Sequence, residues 1–342
     1  MPKGQVVAVL GPVAGEALGL TLPHEHVLCD LTPLALRDPG VPEAAIALAN
    51  RHAVEYRPLE YKGNHRLTLR DVARGEIAAF GAAGGGTVVD LTTGGIAPDP
   101  AGLAEIARAT GVHLILGAGF YTADFVDPET RDRPVEWLED TILAQLTEGA
   151  WRTDIRCGLI GEIGCSWPLA EFERRSLRAA ARAQRRTGVA INVHPGRDPR
   201  APHEILDVLD GAGADIARVA ISHIDRTYFD YPSIAALAER GCWIEFDFFG
   251  IETSNYWFGP ADLPTDWMRL RYIRRLLADG YGSKLLLSHD ICTRTRLAAY
   301  GGHGYAHLIA NVAGLMRERG FTEAEVSGLM RDNPRRFLTG GV

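Results

Sequence analysis

Two histidines stand two apart behind a short apolar run, Leu20-Thr21-Leu22-Pro23-His24-Glu25-His26. In an extended strand, residues i and i+2 point to the same side. His24 and His26 can therefore present two imidazoles to one metal ion. Four further apolar runs end in a side chain of metal-ligating type: Glu162, His194, His223 and Asp290. After each, the pattern breaks into a turn or a helical periodicity. Each also has an ordinary reading: a strand-end histidine can be a satisfied core residue, and Glu162 can cap the helix after it. Jointly, six such side chains at the ends of apolar runs point to a metal centre. Four imidazoles and two carboxylates suit two divalent transition ions, zinc first among them, with manganese or cobalt as alternatives. One ion would leave two or three ligands unused, whereas a pair forms the clamp used in metal-assisted hydrolysis.

The elements that must gather these residues follow from the pattern. Residues 5–10 and 17–22 flank Gly11, Pro12 and Gly15 and read as a β-hairpin that closes the bottom of a barrel. The strand carrying His24 and His26 comes next. Residues 30–66 read as a long loop with a helix near 42–55, and His52 and His65 in it are expected to face solvent. From 67 onward, helical and strand patterns alternate. Strands are predicted at 87–91, 113–119, 157–162, 189–194, 218–223, 243–248 and 284–290. Helices are predicted at 67–83, 99–110, 134–150, 169–187, 201–212, 232–240, 266–279, 303–319 and 322–338. A loop rich in aromatics (Tyr256, Trp257, Phe258, Trp267) follows the seventh strand.

Eight strands alternating with helices imply parallel pairing through crossover helices. No dinucleotide-type glycine fingerprint follows the first strand. The prediction is an α/β fold, a (β/α)8 TIM barrel with an N-terminal β-hairpin, forming a single domain over 1–342. Active sites of such barrels lie at the C-terminal ends of the strands, where all six candidate ligands fall.

Composition narrows the partners. The formal net charge is −7, and no Lys/Arg run occurs. That argues against nucleic acid or an anionic membrane surface and for a small-molecule substrate. No run approaches the roughly 18 uncharged apolar residues needed to span a membrane. The five cysteines, Cys29, Cys157, Cys165, Cys242 and Cys292, form no CxxC pair. Free thiols in a reducing compartment are the expectation. With no apolar run of signal-peptide type near Met1, a cytoplasmic location is expected, and a homodimer is the expected assembly.

The ligand pattern, with an acidic group on the fourth strand, histidines on the fifth and sixth and Asp on the eighth, resembles the amidohydrolase superfamily. The local wording resembles its phosphotriesterase family, in particular the phosphotriesterase-related group. The stretches that carry it are 22–26, 158–168, 287–290, 300–305 and 333–338. By that resemblance His24, His26 and Asp290 hold one metal, His194 and His223 hold the other, and Glu162 bridges them. Asp290 would take the proton of the attacking water and deliver it to the leaving group. The better-known members bridge their metals with a carboxylated lysine. Here Glu stands at 162, and the lysines are at 3, 62 and 284 only. The resemblance implies hydrolysis of an amide, ester or lactone, with an N-acyl amino acid or N-acetyltaurine-like amide favoured over a phosphotriester.

Further candidates flank the site. Tyr121, after the third strand, could donate to a substrate carbonyl. Arg197 and Arg226 each lie three residues past a ligand histidine and could form a cationic end to the pocket. Asp225 and Asp247 could orient ligand histidines. His303 and His307 read as packing or supporting residues, and Cys165 and Cys292 as inert thiols. Two other readings compete. One is a metal-dependent nuclease of TatD-like type, which the acidic charge and the length oppose. The other is a barrel with structural metals only, which the sharing of six ligands by two ions opposes.

Overall fold

The chain enters through a tight antiparallel hairpin, β1 (Gln5–Ala8) and β2 (Gly11–Ala14). The computed structural model describes residues 4–36, 45–57, 60–253, 256 and 262–340. After the hairpin come β3 (Leu20–Glu25), β4 (Cys29–Asp30), α1 (Arg51–Tyr56) and β5 (Arg66–Leu67). β4 pairs antiparallel with β5 and ties the two ends of the long loop together. The alternation then runs α2 (Arg70–Ala82), β6 (Gly85–Asp90), α3 (Pro100–Thr110), β7 (His113–Ala118), α4 (Pro128–Arg131), α5 (Val135–Thr147) and β8 (Leu159–Gly164). It continues through α6 (Glu171–Thr187), β9 (Ile191–His194), α7 (Ala201–Gly211), β10 (Val219–Ile221), α8 (Ile224–Thr227), α9 (Tyr231–Ala238), β11 (Trp243–Phe246), α10 (Asp266–Ala278) and β12 (Leu285–Leu287). α11 (Ala313–Glu318), α12 (Glu323–Ser327) and α13 (Asn333–Thr339) close it.

Eight parallel strands form one sheet in the order β12-β11-β10-β9-β8-β7-β6-β3. Its two ends meet through backbone bonds from His26 N to Ile291 O (3.2 Å) and from Asp290 N to His24 O (3.3 Å). The sheet is a barrel of the predicted kind. Period-two alternation divides its strands between two cores. Leu114, Leu116 and Ile160 join the large cluster under the helices, while Ile115, Leu159 and Leu286 join an inner one. The inner cluster includes Val6 and Ala8 of the hairpin and Phe337 of α13, so the hairpin caps the barrel interior. Burial on both faces is why these strands read as unbroken apolar runs.

Helix ends follow local chemistry. Asp99 caps α3 by accepting from Gly102 N at 2.9 Å, Pro100 fills the first turn, and Gly111 ends the helix with φ +73°. Asp99→Ala is expected to cost about 1 kcal/mol, read as a lower urea midpoint with unchanged turnover.

The hairpin departs from expectation. Its second strand is 11–14, not 17–22: Gly11 adopts φ +122°, which turns the chain at once, and 20–25 is taken by the first barrel strand. The last helices are interrupted by wide i→i+5 turns at Leu308–Val312 and Gly328–Asp332. His52 is exposed as expected, but His65 is buried where β5 folds back on β4. Lys3, Trp257, Phe258 and the start of the helix near 42–55 lie outside the described residues. No helix among the described residues is long and apolar enough to cross a membrane.

Candidate metal centre and substrate pocket

Glu162 stands on β8 amid the other five candidate ligands. Its Oε1 lies 2.7 Å from His194 Nδ1, 2.8 Å from His223 Nε2 and 3.6 Å from His24 Nε2. Its Oε2 faces His26 Nε2 at 3.6 Å. Asp290 Oδ1 lies 3.4 Å from His26 Nε2 and 3.8 Å from His24 Nε2. All six side chains singled out in the sequence converge on one point.

Local backbone makes this possible. Gly161 has φ +109°, and a Cβ there would lie 2.1 Å from Asn192 O. Only glycine lets β8 approach β9 this closely just before Glu162. β10 and β12 end sooner than the apolar pattern suggested, so His223 and Asp290 stand beyond the ladder. Both hold left-handed backbone, with φ +55° and +50°, a strained conformation typical of functional positions.

Neighbours fix the imidazole orientations. His24 Nδ1 contacts Asp247 Oδ2 (3.1 Å) and Glu245 Oε2 (3.2 Å). Glu245 Oε2 in turn accepts from Asn192 Nδ2 (2.6 Å) and Ser222 Oγ (3.0 Å). His223 Nδ1 meets Asp247 Oδ1 at 2.9 Å, and His26 Nδ1 meets Thr92 Oγ1 at 3.1 Å. Each leaves its Nε2 for the shared space, as metal-ligating histidines do. Asp247 thus orients two of them. Asp225 does not: α8 turns it away, and its Oδ2 accepts from Arg269 Nε at 2.7 Å and from Phe248 N at 3.0 Å. His307 Nε2 reaches Asp266 at 2.7 Å, and His303 stacks on His289, so neither joins the cluster.

Two buried atoms here, His24 Nε2 and Glu162 Oε2, have no hydrogen-bond partner among the described residues. Such orphans cost about 1–3 kcal/mol each unless met, and a cation would meet both. Ligand atoms of His24, His26 and Asp290, and of His24, Glu162 and His223, lie within 4.8 Å of one another in each trio. The residues therefore fit divalent ions. The electrostatics are divided. Burial alone would lower the pKa of His24, but Glu162, Asp247 and Glu245 outweigh it and raise it well above the ordinary value. At His223, burial and Arg226 lower it well below, and at His194 burial, His223 and Arg226 do the same. Burial pushes the Glu162 carboxyl up to about 7, against the pull of His24 and His26.

A cavity of about 260 Å³ opens over this centre. Tyr121, Arg197 and Arg226 all line it, but not alike. Arg226 is 2 % exposed. Its Nη2 donates to Pro195 O at 2.9 Å and lies 3.2 Å from His194 Nε2, while its Nη1 has no partner among the described residues. Arg197 is exposed at the rim, where its Nε donates to Tyr256 Oη at 2.7 Å. Tyr121 Oη lies 3.3 Å from His194 Nδ1. Burial, with the charges of Glu162 and Asp290, pushes the Tyr121 hydroxyl well above its ordinary pKa, so it stays a donor. Cys165 is buried beside the cavity with its thiol pushed up by burial. Sequence reasoning missed Arg296, whose Nη1 lies 3.5 Å from Asp290 Oδ2 and 3.4 Å from Cys292 Sγ. Its place six residues past Asp290 carried no recognisable signal.

The phosphotriesterase family profile matches residues 4–338. The chain belongs to the phosphotriesterase family. The N-acetyltaurine hydrolase of Rattus norvegicus is 42% identical over 343 residues, covering 98% of each chain. That of Danio rerio is 40% identical with the same coverage. Among solved structures, a resiniferatoxin-binding protein from Rhodobacter sphaeroides matches with TM-score 0.91 and 36% identity, over 98% of this chain and 95% of that one. The organophosphorus hydrolase from Deinococcus radiodurans matches with TM-score 0.77 and 28% identity, over 99% and 98%. This phosphotriesterase-family chain is a hydrolase, and the resemblance read from its motifs holds over the whole barrel.

Proposed function

We propose that the chain hydrolyses the amide bond of a small N-acylated acid with an anionic tail, an N-acyl amino acid or N-acetyltaurine-like compound. The observation that carries this reading is Arg226, a buried guanidinium on the cavity over the candidate ligands, whose Nη1 has no partner among the described residues. An arginine only donates, so His194 Nε2 accepts in the contact between them. If His194 Nδ1 ligates a metal, the proton moves to Nε2 and two donors face each other. Arg226 then lacks an acceptor that a carboxylate or sulfonate would supply. The curated relatives named N-acetyltaurine hydrolase agree with such a tail.

In this reading His24, His26 and Asp290 would hold one divalent ion and His194 and His223 a second, zinc first, and Glu162 would serve both. When bound, they supply Lewis-acid polarisation of the carbonyl and an acidified water. Asp290 would take the proton of the attacking water and deliver it to the leaving nitrogen. Tyr121 donates to the substrate carbonyl, and Arg197 and Arg226 hold the tail. One barrel domain, 1–342, carries all of this. The same reading places the chain in the cytoplasm, where its thiols stay reduced, as a homodimer that light scattering would test.

Elemental analysis of gently purified protein should find close to two ions per chain, whereas one ion at saturating metal would sink the binuclear arrangement. For the tail, an anionic N-acyl substrate is compared with its neutral ester or amide analogue. Each charge-assisted contact is expected to contribute about 1.5–3 kcal/mol, or about ten- to a hundredfold in kcat/KM. Arg226→Ala should abolish most of the preference for the anion, and Arg197→Ala, at the exposed rim, less. Equal kcat/KM for both analogues in the wild type defeats the proposal.

A further inference from the structure

Between the two histidines of the first barrel strand stands Glu25, to which the catalytic reading gives no task. It is fully buried. Strand alternation sends its side chain away from the ligand face, into the seam where β3 meets the end of β12. That seam needs support: β3 and β12 are the ends of the sheet order and share no regular ladder. Glu25 supplies it. Its Oε1 accepts from Ser288 Oγ (2.8 Å), His289 N (3.0 Å) and His289 Nδ1 (2.7 Å), and its Oε2 accepts from Ile291 N (2.9 Å). The His289 tautomer is settled by its other nitrogen, because Nε2 accepts from Leu308 N at 3.1 Å. Ser288 Oγ also accepts from His24 N at 3.1 Å, so one hydroxyl joins the carboxylate to the ligand strand. The four bonds bracket Asp290 on both sides.

We propose that Glu25 is a positioning residue whose carboxylate sets the separation between Asp290 and the His24/His26 pair. The inference rests on the reading that these three hold an ion. A backbone at φ +50° does not hold itself in place; the Glu25 bonds to 288, 289 and 291 pin it from both sides, beside the bond from Asp290 N to His24 O and that from the Arg296 guanidinium to Asp290 O. The demand is for a group that only accepts. Glutamine would turn an amide N–H₂ toward either Ile291 N–H or the three donors on Oε1, so a near-isosteric change should release the strand end.

The test titrates metal-free wild type, Glu25→Gln, Ser288→Ala and Asp99→Ala with Co(II), followed by its visible absorption, with urea midpoints and steady-state kinetics in parallel. Glu25→Gln should weaken one of two Co(II) sites by about 10- to 100-fold and lower kcat with little change in KM. Ser288→Ala should do the same to a lesser degree. Asp99→Ala should lower the urea midpoint and leave both Co(II) sites intact, which separates positioning from general loss of stability. A folded Glu25→Gln with wild-type Co(II) affinity and kcat overturns the proposal. Should Glu25→Gln fail to fold, Ser288→Ala decides, and unchanged Co(II) affinity there overturns it equally. Wild type that binds no Co(II) overturns the metal reading itself, and the proposal with it.

Discussion

Asp290→Asn is expected to lower kcat by about a thousandfold while leaving KM nearly unchanged. The reason is chemical. Burial would raise the Asp290 carboxyl, but the hydrogen bond to His26 and the neighbouring His223, His24 and Arg296 outweigh it and hold it down to about 2. It is thus an ionised carboxylate set against the candidate ligands, a group that can accept a proton. An amide keeps the shape and cannot take the proton. Asparagine is also among the non-glycine residues that best tolerate left-handed backbone, so the φ +50° turn survives. Asp290→Ala would add strain and cavity to the loss and confuse the result. Steady-state kinetics on an N-acyl acid, with metal content measured on the same sample, provide the check. A variant that keeps its metal and a near-normal kcat removes Asp290 from the shuttle role.

Glu162→Ala should abolish nearly all turnover and lower the metal content as well. Its two oxygens divide the site, Oε1 toward His194 and His223 and Oε2 toward His26. Removing it takes away the group that serves both halves and leaves a hole in a buried cluster of imidazoles. In the proposed arrangement Glu162 is the bridge and is encoded as a carboxylate, so metal reconstitution should not depend on bicarbonate. Lys284 supports the point, since its Nζ donates to Ala217 O near the start of its own strand. Reconstitution in CO2-free buffer, with and without added bicarbonate, should give equal activity. Inactive protein that bicarbonate rescues would mean the wrong bridging group has been identified.

The strands and the candidate ligands were legible for one shared reason. Parallel strands buried on both faces appear as unbroken apolar runs, and a polar residue closing such a run stands out. His194 is of this kind, whereas Glu162 interrupts its run, since β8 continues through Ile163 and Gly164. What escaped depends on pairings between distant segments. Residues 17–22 have the composition of a hairpin strand, and only the geometry of β3 against β6 assigns part of them to the barrel. Asp225 lies close enough to His223 in sequence to be its partner, yet it pairs with Arg269, 44 residues on. His65 sits in a polar stretch and is buried only because β5 returns to β4. Arg296 and Glu25 act through contacts with the opposite end of the chain or across a turn, and no local periodicity marks either.

The seam between β3 and β12 also fixes when the site comes into being. Some 264 residues separate His24 from Ser288, whose hydroxyl receives its amide. At a ribosomal rate of about 5–20 residues per second, roughly 15 to 50 seconds pass between synthesis of the two edges. Throughout that interval the nascent polypeptide carries His24 and His26 without Asp290, and its barrel has two open edges exposed to other chains. Completion of the last strand therefore at once joins the two edges and brings Asp290 beside His24 and His26, before α13 adds Phe337 to the inner core. A translation product truncated before residue 285 would lack Asp290 and be silent as a hydrolase, and its unpaired edges would stay open to other chains.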